Sequence, residues 1–183
     1  MTPFNVLFAL MISLSSAVPS IADPLSAVEV NEIISNTTDC CEIMPWIVDS
    51  PDIYGKLNQQ YDLGNGGTLY QILTDHGASL PYYSFVLFDG QDKYTRLQFD
   101  YPILNNDNEV VFDSREELPQ VKFDPETMTL SSFTYWMAGD QSERRIYQLT
   151  PTSGYPIQLI EFTADYVVDD DTSDHVTLWM EPR

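Results

Sequence analysis

The chain has 183 residues, of which 28 are Asp or Glu and 8 are Lys or Arg, giving a formal charge of -20 with both histidines neutral. That imbalance excludes nucleic-acid binding, which needs clustered Lys and Arg to displace counterions, and docking on anionic lipid, which needs a basic face. Hydrophobic residues at 43% and aromatics at 13% are too abundant for a disordered acidic tail, so a folded domain with a cationic or neutral partner is expected.

Residues 1–22 carry no charged side chain. Their apolar run at 6–14 is too short to span a bilayer, and Pro19 with the small residues Ser20 and Ala22 follows it, the pattern of a cleavable signal peptide. The expectation is an exported protein, periplasmic or secreted, with a single all-β domain over 23–183 and no membrane span. All 28 acids then belong to the exported part, and the seven between Asp23 and Asp52 meet no base before Lys56.

Over 23–35, the spacing of Leu25, Val28, Ile33 and Ile34 predicts one short helix, with Asp23 as cap and Pro24 at the first helical position. Cys40 and Cys41 follow as adjacent residues. An exported protein favours disulfides, but neighbouring Cα atoms lie only about 3.8 Å apart, less than an ordinary bridge spans. A strained vicinal Cys40–Cys41 disulfide, two free thiols and a link to another chain all remain open, with the ring the leading reading.

Beyond them, β-branched and aromatic runs separated by turn residues predict strands at 43–48, 68–74, 82–88, 94–99, 109–112, 120–123, 128–135, 144–149, 157–168 and 176–180. Asp89-Gly90 marks a hairpin, Asp124-Pro125 a type I turn, and Gly64-Asn65-Gly66-Gly67 a further reversal. Phe85-Val86-Leu87-Phe88 is apolar on both faces, which predicts a strand covered on each side. The fold class is therefore all-β, about ten mostly antiparallel short strands in a sandwich, barrel or propeller-like stack with one short N-terminal helix.

Catalytic signatures are absent from the sequence: there is no nucleophile elbow, zinc helix, phosphate loop or dinucleotide fingerprint, and the expectation is a protein that is not an enzyme. Asp75-His76 and Asp174-His175 place an acid before each histidine, and Glu116-Glu117 pairs two carboxylates, but in so acidic a chain such neighbours arise by chance. Calcium is the one cofactor the loops could take, since 169–174 and 105–109 concentrate oxygen ligands, with Asp169, Asp171 and Asp174 as the candidate set. No cofactor is required.

The segments Tyr83-Ser84-Phe85-Val86-Leu87-Phe88-Asp89, Leu118-Pro119, Val121-Lys122-Phe123-Asp124, Thr129-Leu130-Ser131-Ser132, Arg145-Ile146-Tyr147 and Ile157-Gln158-Leu159-Ile160-Glu161 carry a resemblance to a known family. In this order they resemble bacterial periplasmic β-propeller-like, FG-GAP-related proteins, some of which inhibit peptidoglycan hydrolases as immunity proteins. The resemblance implies an inhibitor, and with the acidity it points to a basic partner such as a cell-wall hydrolase. Partner-binding candidates at strand ends and turns are Tyr82, Tyr83, Asp89, Asp92, Tyr135, Trp136 and Asp140. The alternative is a glycan- or calcium-binding module without catalytic activity.

Overall fold

A computed structural model describes residues 23–64, 66–77, 80–105, 109–136, 141–151, 156–169 and 172–178, with only the backbone described at 104, 136, 141 and from 165 onward. The signal-peptide segment 1–22 lies outside the described residues. Two open antiparallel sheets and a separate hairpin enclose one main core, a sandwich-like arrangement rather than a closed barrel.

The first sheet runs β1 (Asp23–Pro24), β2 (Gln59–Gly64), β3 (Gly67–His76), β4 (Pro81–Phe88) and β5 (Tyr94–Arg96). One edge of β4 is shared: β5 pairs with its 86–88 end and β8 (Glu117–Pro119) with its 82–84 end. The hairpin joins β6 (Phe99–Leu104) to β7 (Val110–Arg115). The second sheet has the order β13 (Thr172–Leu178), β12 (Ile157–Asp169), β11 (Gln141–Leu149), β10 (Thr129–Trp136) and β9 (Val121–Asp124).

Side chains alternate across each strand, so β4 sends Tyr83, Phe85 and Leu87 to the main core and Val86 to the opposite face. Val86 is wholly buried there beneath helix α1 (Ala27–Asn36), together with Ile72, Leu25, Val30 and Ile33. The doubly apolar run at 85–88 is thus covered on both sides, as its composition predicts. Across the main core Tyr61 meets Phe123 edge-on at 4.8 Å, and Phe99 meets Tyr147 at 5.1 Å. Full burial of side chains such as Phe85 contributes about 1.5–3 kcal/mol each.

The second sheet faces inward with polar as well as apolar groups. On β11 the inward set is Glu143, Arg145, Tyr147 and Leu149, and Arg145 is fully buried. A register shift between Ile146 and Tyr147 pairs Glu161 and then Leu159 with successive residues of β11, so Leu159 and Phe162 both reach the interior.

Three sequence expectations change. Helix α1 begins later than expected: Ser26 is its cap, and Asp23-Pro24 pairs with Gln60 and Gln59 as a strand. Ser26 and Glu29 form a capping box, in which the Glu29 N–H donates to Ser26 Oγ at 3.3 Å and the Ser26 N–H donates to the Glu29 carboxylate at 2.8 Å. The expected strand at 43–48 is instead a helical turn, α2 (Pro45–Val48), followed by α3 (Pro51–Tyr54) and a 3-10 turn over Gly55–Leu57. Proline at the first helical position starts both short helices, because its fixed φ and missing N–H cost nothing there. The expected strand at 94–99 divides into β5 and β6, with the Leu97 N–H donating to the Phe85 carbonyl at 2.8 Å between them.

Candidate functional site

The acid-only stretch that precedes Lys56 folds into the helical layer on the outer face of the first sheet. Between α1 on one side and α2, α3 and the 3-10 turn on the other lies a groove of about 650 Å³. Its floor and walls include Leu25, Val30, Ile43, Ile47 and Val48, with Asn31, Asp52, Lys56 and Asn58 supplying polar groups. Asn58 fixes the layer to the sheet: its side-chain oxygen accepts from the Leu73 N–H at 2.7 Å and its carbonyl accepts from the Leu25 N–H at 3.0 Å.

Several large apolar side chains of the helical layer stand exposed, one of them in the groove itself. Val28 is 76% exposed, Ile53 67% and Val48 57%; Val48 lines the groove, and the other two adjoin the lining residues Ala27 and Asp52 in sequence. Trp46 and Met44 are also exposed. Trp46 packs edge-on to Tyr54 at 5.2 Å and to His76 at 6.4 Å, so His76 belongs to an aromatic cluster, with its Nδ1 3.0 Å from the Gly77 carbonyl. Apolar groups gathered at a concavity differ from singly scattered ones in marking a contact surface.

Behind the α1 side of the groove sits the cysteine pair. Cys40 and Cys41 are free thiols with their sulfurs 2.9 Å apart, not the expected disulfide. Cys41 is buried against Leu25, Val30 and Ile33, while Cys40 is half-buried. The Cys41 thiol beside it, aided by the Arg96 guanidinium, pulls Cys40 down to about 6. The same contact and burial push Cys41 up. Arg96 is held by Glu116 at 2.5 Å and Glu117 at 3.8 Å, and donates to the Asp39 carbonyl at 3.2 Å. The Glu116-Glu117 pair is therefore bound up in charge pairing.

The partner-binding candidates from the sequence are dispersed. Tyr83 is 5% exposed and belongs to the main core, so its ring is not presented to a partner. Tyr82, half-buried, borders a shallow cleft of about 310 Å³ with Arg96, Arg115, Glu116 and Glu117. Asp89 and Asp92 are exposed in the β4–β5 turn, at the other end of β4 from Tyr82; at about 3.3 Å per residue the separation is about 23 Å. The Asp89 carboxylate accepts from the N–H groups of Gln91, Asp92 and Lys93, which holds its pKa below the usual value. Tyr135 is 48% exposed on β10; Trp136 ends that strand, and Asp140 lies outside the described residues.

Of the calcium candidates, Asp169 and Asp174 are placed by backbone on the β12–β13 hairpin, where Asp169 pairs with Thr172 and Asp174 with Tyr166; Asp171 lies outside the described residues. In the 105–109 loop the Asn105 side-chain oxygen accepts from the Glu109 N–H at 2.9 Å and so closes the hairpin. Among the described residues no three His, Cys, Asp or Glu side chains gather as metal ligands, and no helix is long and apolar enough to cross a membrane.

Compared with protein families, with curated proteins and with solved structures, the chain matches none. The groove is not evident in the sequence because residues 43–48, on its far wall, have the composition of a strand. The available signal was the repeated helix start at Met44-Pro45 and Ser50-Pro51-Asp52.

Proposed function

We propose that the protein is an exported acidic binding protein that inhibits a basic secreted enzyme, with a peptidoglycan hydrolase as the partner class. The observation that carries this reading is the apolar groove set within a helical layer whose residues from 23 to 57 include seven acids against the single base Lys56. The net negative charge of this layer and of the whole chain speeds the encounter with a basic protein and disfavours acidic competitors. Affinity then comes from an apolar segment of the partner entering the groove between Val48 and α1, where Leu25, Val30, Ile43 and Ile47 line it. The choice of enzyme class rests on the resemblance of the segments between Tyr83 and Glu161 to periplasmic inhibitors, and the compartment on the signal-peptide pattern of residues 1–22.

The test is inhibition of peptidoglycan lysis by a panel of basic lysozyme-type hydrolases, measured at rising salt with wild type, Val48→Asp and Ile53→Ser. The expected result is inhibition that weakens with salt and is lost in Val48→Asp and reduced in Ile53→Ser, each of which changes an exposed residue, with thermal melts checking that both variants fold. Absence of inhibition across the panel, or inhibition indifferent to both salt and groove variants, overturns the proposal.

A further inference from the structure

We propose that Cys40 and Cys41 form a reversible dithiol site that exchanges electrons with small disulfides such as glutathione disulfide, Cys40 attacking and Cys41 resolving. The inference stands apart from the groove's partner. Three features of the pair carry it: the sulfurs touch at 2.9 Å, one is reachable, and the other is not. Cys41 is only 5% exposed, so a reagent arriving from solvent meets Cys40 first. Arg96 anchors the loop through the Asp39 carbonyl and sets positive charge beside the pair, and Asp39 itself holds a left-handed φ of 53°. A thiolate at Cys40 near neutral pH follows from its low value, and a thiol whose pKa lies near ambient pH is the most effective attacking group.

The exchange has two steps. In the first, the Cys40 thiolate bonds to one sulfur of glutathione disulfide, the S–S bond of the reagent breaks, and one glutathione leaves as thiolate. In the second, with Cys40 capped and no longer raising its neighbour, the Cys41 sulfur bonds to that of Cys40, the mixed disulfide breaks, and the Cys41 proton leaves on the second glutathione, which departs as thiol. The two thiols of the chain lose two electrons and close an eight-membered ring, and the reagent gains them as two thiols. Adjacent Cα atoms at about 3.8 Å are closer than ordinary bridges allow, so the ring is strained and open to attack by reduced glutathione.

The test uses the reduced full chain exposed to glutathione disulfide and then to excess reduced glutathione, followed by intact mass and maleimide counting after acid quench and denaturation. Wild type should lose two hydrogens and both reactive thiols, retain no glutathione, and regain both thiols in the second step. Cys41→Ser should retain one glutathione, and Cys40→Ser should remain unmodified, with thermal melts showing that both variants fold. A wild-type chain that stays reduced, keeps glutathione on either sulfur, links to a second copy or fails to reopen overturns the proposal, as does a folded Cys40→Ser chain that takes up glutathione as readily as Cys41→Ser.

Discussion

The Arg145 guanidinium lies 3.7 Å from the centre of the Tyr101 ring, and one of its terminal nitrogens reaches both the Glu143 carboxylate at 2.5 Å and the Pro102 carbonyl at 2.9 Å. This buried charge ties β11 to the β6–β7 hairpin, and Thr134 on β10 joins it at 3.4 Å. Arg145→Met removes the guanidinium that pairs with the Glu143 carboxylate, itself 8% exposed, and a loss of about 3–5 kcal/mol is expected. Arg145→Met combined with Glu143→Leu should recover part of that loss in urea unfolding. If the double variant is no more stable than the single one, the buried carboxylate is not the source of the cost.

Gly90 cannot carry a side chain. Its φ is +84°, and a Cβ there would stand 2.6 Å from the Gly66 carbonyl oxygen, so one hairpin turn presses on the other. Gly90→Ala should therefore destabilise by more than about 1 kcal/mol. By contrast Gly55 sits at helical φ -58° with nothing near its Cβ position, and Gly55→Ala should stabilise by about 0.4–1 kcal/mol. Thermal melts of the two variants should move in opposite directions.

The Ser26 cap sets where α1 begins and hence the near wall of the groove. Ser26→Ala removes the acceptor for the Glu29 N–H and should cost about 0.5–2 kcal/mol. Ser26→Asp keeps an acceptor and should hold most of the stability, and chemical denaturation separates the two.

The Asp89 carboxyl sits below its ordinary value because backbone N–H groups, that of Gln91 foremost, donate to it. Asp124 is lowered in the same sense, by Thr127 and by the Glu126 N–H. A carboxyl lowered by folding adds stability above its unfolded value, and that contribution is lost as pH falls through the folded value. Asp89→Asn keeps an acceptor but not the charge. Its melting temperature should lie below wild type at neutral pH, and the gap should close as pH falls below about 4. A gap that stays constant to low pH would show that charge plays no part in the turn.

Much of the sheet architecture is legible in the sequence because turn chemistry punctuates it. Asp89-Gly90 and Asp124-Pro125 both form the expected reversals, with each aspartate accepting from the N–H groups that follow it. The run at 85–88 also announces its two-sided burial. What eludes pattern reading is the polar interior of the second sheet. Arg144 and Arg145 look alike in sequence, yet the first is half-exposed and the second fully buried, because strand alternation assigns faces that composition cannot. The groove eluded it for another reason: residues 43–48 have the β-branched and aromatic content of a strand, and two prolines override it.

Asn58 bridges the helical layer and β3 through a single side-chain oxygen. The Leu73 N–H is thus closed off by a residue 15 positions earlier instead of by a neighbouring strand. Slow solvent exchange at that one amide would report whether the helices are seated. If they lift, Leu73 loses its acceptor while the flanking amides of β3 keep theirs, so one proton in the sheet records the state of the layer above it.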